Sequence, residues 1–143
     1  MNFERLYFLR ENKDLTQTEM GNILKVSRVA ISQWENNKEI IPLDKLNIYS
    51  NYFNVSLDYI VGLSNKKQTA NLNIELDKKI IGTRLKDFRK KFNISQEQLA
   101  NELNTSHSTI SAYEKGKTLI LTVFAYTIAK NYKISLDWLC GKK

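Results

Sequence analysis

The chain says the same thing twice. Residues 3–62 and 82–141 align without a gap at a constant offset of 79. Whatever fold forms must be one that a stretch this short can adopt on its own, so each copy needs a compact, efficiently packed core. The repeat divides the 143 residues into a first domain at 1–63, a polar linker at 64–73 and a second domain at 74–143.

Both copies read as five short helices, and nothing alternates at period two for long enough to argue a strand. In the first, Phe3, Leu6, Tyr7 and Leu9 recur at helical spacing and predict a helix over about residues 2–12. Thr16-x-x-Glu19 is a capping box that opens the second helix, and Ser95-x-x-Gln98 repeats the device. Those helices run to about Leu24 and Leu103, Lys25 and Asn104 occupy the turns, and Ser27 and Ser106 cap the third helices. The pairs Asn36-Asn37 and Lys115-Gly116 each supply a residue that tolerates the positive φ that suits the ends of the third helices. Pro42 starts a fourth helix with Leu43, Leu46, Ile48 or Tyr49, and Phe53 as its buried stripe. Ser56-Leu-Asp-Tyr-Ile-Val-Gly62 and Ser135-Leu-Asp-Trp-Leu-Cys-Gly141 are short fifth helices stopped by glycine. Leu76, Ile80, Ile81, Leu85, Phe88 and Phe92 predict a longer first helix for the second copy, starting at Ile74. Ser64 to Asn73 is polar and aperiodic, which predicts a flexible connector. Ten such residues reach at most about 33–36 Å, enough to set two heads one duplex turn apart.

Composition narrows the class. The longest apolar runs fall far short of the roughly 18 residues that span a bilayer, and Met-Asn-Phe-Glu-Arg at the start is no secretory signal. The expectation is a soluble, cytoplasmic protein without a membrane partner. One Cys (Cys140) and one His (His107) make neither a disulfide nor a metal cluster, and Cys140 fits the apolar pattern of the last helix at the position of Val61. Neither a glycine-rich phosphate loop nor a nucleophile with a base is visible, so the expectation is no enzyme, catalytic residue, metal or cofactor. The net charge of +7 favours a polyanionic partner. Its distribution is uneven: seven basic against eight acidic residues over 1–65, four against two over 66–80, and eleven against five over 81–143.

Each copy carries one helix that braces and a second that can present side chains. Residues four apart share a helix face, so Arg28 lies with Ser32 and Val29 with Gln33. Arg can bond guanine twice, Gln adenine twice, and Val can touch a thymine methyl. Glutamine opening the second helix, serine before the third, Ile-Ser near its middle, aromatic-Glu at its end and Ser-Leu-Asp-aromatic-aliphatic-x-Gly in the fifth all occur twice in register. On these residues both copies resemble the Cro/repressor-type helix-turn-helix family, also called the XRE family, over about 60 residues each. The resemblance implies an all-α fold of two tandem five-helix lambda-repressor-like helix-turn-helix domains, with recognition helices at about 28–36 and 107–115 in the major groove of double-stranded operator DNA.

Carried over position by position, the resemblance makes Arg28, Val29, Ser32 and Gln33 base-facing in the first copy. His107, Ser108, Ser111 and Ala112 take those places in the second. Gln17, Ser27, Asn36 and Lys38, with Gln96, Ser106, Lys115 and Lys117, become phosphate-contacting residues that position without reading sequence. Glu35 and Glu114 should pair with Arg10 and Arg89 as structural ion pairs, while Trp34 and Tyr113 belong to the core beside Ile31 and Ile110. Two departures stand out. Gly21 replaces the customary alanine, a loss of helix propensity of about 1 kcal/mol that would make the first copy the less stable one. The second copy has His107 and Ala112 in place of Arg28 and Gln33, so its reading should be weaker although its charge is higher.

The function expected is a bacterial or phage transcriptional regulator, a repressor, nucleoid-associated, whose operator has unequal halves. Pairing of chains into a homodimer would make that site palindromic or extended. The competing expectation, prompted by the acidic balance of the first copy, is a protein-interaction module of antitoxin-like or repressor-neutralising type that keeps the fold. No separate effector or multimerisation domain is visible and no small-molecule effector is evident, so regulation is expected to depend on concentration or on a partner protein.

Overall fold

The computed structural model describes residues 1–67 and 73–143, all of whose regular structure is helical. The chain folds as two compact units, Met1–Ile74 and Glu75–Lys143. The first holds α1 (Glu4–Asn12), α2 (Gln17–Leu24), α3 (Arg28–Glu35), α4 (Leu43–Phe53) and α5 (Leu57–Ile60). The second repeats the order with α6 (Lys78–Lys91), α7 (Gln96–Glu102), α8 (His107–Glu114), α9 (Thr122–Tyr132) and α10 (Leu136–Leu139).

Local chemistry sets the boundaries. Thr16 and Ser95 form complete capping boxes with Glu19 and Gln98, satisfying first-turn N–H groups that the helices themselves leave unpaired. Ser27 and Ser106 accept hydrogen bonds from Ala30 N–H and Thr109 N–H and so start α3 and α8. Between the members of each helix-turn-helix, Lys25 at φ 58° and Asn104 at φ 57° both adopt the left-handed conformation. Gly62 and Gly141, at φ 82° and 78°, follow α5 and α10.

Each core collects one stripe from every helix. Leu6, Met20, Leu24, Ile31, Leu46, Tyr49, Leu57 and Ile60 are fully covered in the first unit. Leu85, Leu99, Ile110, Ala125, Leu136 and Leu139 are covered in the second, where Cys140 packs as Val61 does in the first. Two expectations need correcting, the burial of Phe53 and the start of the long helix, and the stripes of α1 and α6 are narrower than their apolar spacing. Tyr7 is 42% exposed, because the α1 face toward the core is completed by the aliphatic stem of buried Arg10. Phe53 is half-buried. Ile80 on α6 and Phe92 just after it are exposed, and the helix's buried stripe is Ile81, Leu85 and Phe88. That helix starts at Lys78 rather than Ile74, because the Asp77 carboxylate accepts a hydrogen bond from Lys79 N–H and caps it there.

The polar stretch read as a free connector is fastened to the first unit over its described start, and Ile74, just beyond its other end, is held there too. Arg5 donates to the carbonyls of Tyr59 (2.5 Å) and Ser64 (2.7 Å) with its guanidinium 4.1 Å from the centre of the Tyr59 ring. Ser56 N–H and Oγ–H donate to the carbonyls of Lys67 and Lys66, and Asn47 donates to that of Ile74. Residues 64–67 are therefore not free tether, and residues 68–72 lie outside the described residues.

Gly21 has a different meaning from the one propensity gives it. A Cβ there would sit 2.7 Å from the Val26 carbonyl oxygen, closer than packing allows, so the crossing of α2 with the turn before α3 excludes any side chain. Its counterpart Ala100 is accommodated in the second unit. Helix propensity alone makes Gly21→Ala a gain of about 1 kcal/mol. The crossing predicts the opposite sign, a destabilisation of about 1–3 kcal/mol from overpacking, read as a lower urea midpoint.

Candidate nucleic-acid interface

Helices α3 and α8 each have a committed face and a presented one. Ile31 and Trp34, and Ile110 and Tyr113, are buried. With that face fixed, the 3.6-residue period turns the alternate residues outward. Arg28 is exposed, Val29 is 53% exposed, and Ser32 and Gln33 are half-buried beside them. On α8, His107 and Ser108 are exposed and Ser111 and Ala112 half-buried, so the structure brings each expected base-facing set together on one surface.

The residues expected to meet phosphate hold several different positions. Lys38, Lys115 and Lys117 are exposed on the loops after α3 and α8. Asn36 is folded back, donating to the Ser32 carbonyl (2.9 Å) and Ser32 Oγ (3.3 Å). Ser27 Oγ and Ser106 Oγ serve first as helix caps, and Ser106 Oγ also lies 3.0 Å from Ser108 Oγ. Gln17 and Gln96 each place an amide N–H on a carboxylate: Gln17 Nε2 donates to Glu35 Oε1 at 3.3 Å and Gln96 Nε2 to Glu114 Oε1 at 3.0 Å. Which group a glutamine at that position meets depends on the tertiary fold, and spacing alone could not show it.

Both carboxylates belong to buried pairs. Arg10 donates through Nε to Glu35 Oε2 (2.6 Å), through Nη2 to Oε1 (2.9 Å) and through Nη1 to the Leu15 carbonyl (2.7 Å). Arg89 repeats this on Glu114 Oε2 (2.8 Å), Oε1 (3.1 Å) and the Ile94 carbonyl (3.1 Å). The side chains of Glu35 and Glu114 are each only 4% exposed. Burial pushes the Glu114 carboxyl up, but the hydrogen bonds from Arg89 and Gln96 and the charges of Arg89 and Lys86 outweigh it and hold its pKa below the usual carboxylate value.

One recurrent pair of residues is not evident from sequence spacing within either copy. Arg84 matches Arg5, donating to the carbonyls of Trp138 and Lys143 with its guanidinium 5.0 Å from the centre of the Trp138 ring. Each arginine closes the C-terminus of a fifth helix. The signal that could have found it is an arginine and an aromatic both repeated at the offset of 79.

Against known proteins, a sequence model of the helix-turn-helix domain matches residues 3–66 and again 82–143. The chain belongs to the helix-turn-helix domain family. It is of the Cro/repressor type, in two tandem copies. The HTH-type transcriptional activator BcrR of Enterococcus faecalis is 40% identical over 58 residues, 41% of this chain and 28% of the activator. An uncharacterised HTH-type transcriptional regulator of Archaeoglobus fulgidus is 40% identical over 55 residues, 38% of this chain and 78% of that protein. The chain thus spans under a third of the activator and about three quarters of the archaeal regulator. Among solved structures, the restriction-modification controller protein C.AhdI from Aeromonas hydrophila is 27% identical with a TM-score of 0.41, covering 44% of this chain and 96% of that one.

Among the described residues no group of His, Cys, Asp and Glu could hold a metal, and no helix is long and apolar enough to cross a membrane. Two outcomes follow from the buried pairs of this helix-turn-helix protein. Arg10→Ala leaves Glu35 charged and enclosed, and should cost the first unit about 3–5 kcal/mol in denaturant unfolding. Because Glu114 titrates below its ordinary value of 4.5, its contribution is present above that pH and is lost as pH falls through the folded value. Thermal unfolding of Glu114→Gln should accordingly depend less on pH below about 4.5 than that of the wild type.

Proposed function

We propose that the chain is a sequence-specific, double-stranded-DNA-binding transcriptional regulator, a repressor acting by occupancy of its operator, with α3 and α8 as recognition helices in the major groove. The carrying observation is the surface formed by Arg28, Val29, Ser32 and Gln33. It sets a guanine-reading cation, a thymine-contacting methyl pair and an adenine-reading amide on one side of a helix whose other side is locked into the core. A valine 53% exposed next to an exposed arginine is what a groove contact requires.

The two units divide the work. The first reads bases through Arg28, Val29, Ser32 and Gln33, with Gln17, Ser27, Asn36 and Lys38 toward the backbone. The second, through His107, Ser108, Ser111 and Ala112, discriminates less, and it contributes affinity through Gln96, Ser106, Lys115 and Lys117. Release of condensed counterions by the lysines makes their share of it salt-dependent, while Gln96 and Ser106 only position the unit. A single chain then prefers an asymmetric site, and a homodimer would extend it.

Selection of bound sequences from a random duplex pool should return a motif with one well-defined and one diffuse half. Selection with Arg28→Ala/Gln33→Ala should erase the defined half, at about 1–3 kcal/mol of discrimination for each bidentate pair removed. An unchanged motif would sink the assignment of the first unit as reader. Transcription from a promoter overlapping the motif should fall when the protein is added; a rise would make it an activator.

A further inference from the structure

The first helix of the second unit begins a full turn earlier than its counterpart, and that turn has a built seat. The position matching Glu4, where α1 starts, is Thr83, whereas α6 already starts at Lys78. Three glycines make room for it. A Cβ on Gly82 would lie 2.4 Å from the Tyr113 carbonyl oxygen and 2.7 Å from that of Glu114, so α6 crosses the last turn of α8 at backbone contact. A Cβ on Gly116 would lie 2.8 Å from Lys79 Cγ and 3.0 Å from Lys79 Cα, and one on Gly141 would lie 3.0 Å from Ile80 Cγ2. The matching positions of the first unit are Phe3, Asn37 and Gly62, and beside Gly62 a Cβ would meet nothing within 4 Å.

Gly116 lies between exposed Lys115 and Lys117, on the loop that leaves the recognition helix. Seating Lys79 on that glycine therefore gathers Lys78, Lys79, Lys115 and Lys117 along one edge. Lys86 belongs to the same flank, since its charge acts on Glu114 at the end of α8. Three acidic residues lie near: Glu114, whose carboxylate is buried on Arg89, Asp77, whose carboxylate is held on Lys79 N–H at 2.8 Å as the cap of α6, and Glu75, which lines the same shallow depression as Lys78, Lys79 and Gly116. The first unit has Tyr7 and Asn36 where the second has Lys86 and Lys115, and its first helix starts only at Glu4.

We infer that Lys78 and Lys79 bind phosphates of the duplex flanking the second recognition helix, making the extra turn of α6 a backbone clamp that the first unit lacks. The inference rests on the DNA-binding reading above. An ammonium on a flexible stem neutralises a phosphate without demanding a particular base, which suits a unit whose recognition helix presents no long bidentate side chain.

The test is duplex binding by the full chain across a salt series, using the selected duplex and an unrelated one of equal length, for wild type and Lys78→Gln/Lys79→Gln. Glutamine keeps the part of the stem that lies over Gly116. Both lysines are exposed, so the thermal unfolding midpoint should not change. The expected result is a slope of log K on log salt shallower by about 0.9 for each lysine–phosphate pair removed, about 1.8 for both. Affinity should fall by one common factor on the two duplexes. An unchanged slope with wild-type binding intact overturns this inference and leaves the DNA-binding reading standing, as does a weakening confined to the selected duplex. A wild-type chain with no salt-dependent duplex affinity overturns both.

Discussion

Arg10 and Arg89 each hold three parts of a unit with one guanidinium. Two of its N–H groups grip the carboxylate at the end of the recognition helix, and a third takes the carbonyl of the residue just before the second helix's cap. The first helix, the entry to the second and the end of the third are thereby tied to one rigid fork. The glutamine that opens the second helix adds an amide to the same carboxylate. Such a buried pair need not add much net stability, because desolvating both charges offsets most of their attraction. What it does fix is orientation: if the third helix slipped or rotated, a carboxylate only 4% exposed would be left without its partner. The presented surfaces of α3 and α8 are consequences of that constraint, and the network survives unchanged in a unit whose presented residues have diverged.

Much of the scaffold is legible in the chain because its determinants are local. Capping boxes at Thr16 and Ser95, serine caps at Ser27 and Ser106, and glycines at 62 and 141 act within a few residues of themselves, so spacing is enough. The presented faces are legible for a related reason, since locating Ile31, Trp34, Ile110 and Tyr113 in the core leaves only one outward side. What spacing cannot show are close approaches between segments remote in sequence. Apolar Ile74 and Leu76 continue the period of α6, yet one hydrogen bond to Asp77 decides where the helix begins. Gly21 reads as a weakened helix because the Val26 carbonyl against it is a property of the crossing. The linker reads as free because the groups that hold it, Arg5, Asn47 and Ser56, lie elsewhere in the first unit.

The pairing of Arg5 with Tyr59 and Arg84 with Trp138 shows how a repeat can be used as an instrument. The chain supplies its own comparison at the offset of 79. Positions kept in both copies separate the scaffold from positions where they differ. The arginines closing the fifth helices, and the Arg, Glu and Gln of the buried network, fall in the kept set. The differing set contains Arg28 against His107, Gln33 against Ala112, Tyr7 against Lys86 and Asn36 against Lys115. Each of these four pairs lies on the third helix of its unit, the loop that follows it or the adjoining first helix.

If the second unit holds DNA as proposed, covalent linkage changes what it must achieve there. Once the first unit is engaged, the second meets the duplex at an effective concentration that a short connector raises to about the millimolar range. Affinities of ordinary non-specific type, about 10⁻⁴ to 10⁻⁶ M, are sufficient for engagement at such concentrations. A tethered unit can therefore dispense with long bidentate groups and still contribute, provided its charge is retained, and the eleven basic against five acidic residues over 81–143 have that balance. The first unit has no such freedom, because base discrimination is a difference between sites that effective concentration multiplies equally for right and wrong sequences. On the proposed division of labour, the near-neutral charge of the first unit and the surplus of the second are two sides of one arrangement: a reader so charged would be kept from binding everywhere, and a holder would act only where the reader has stopped.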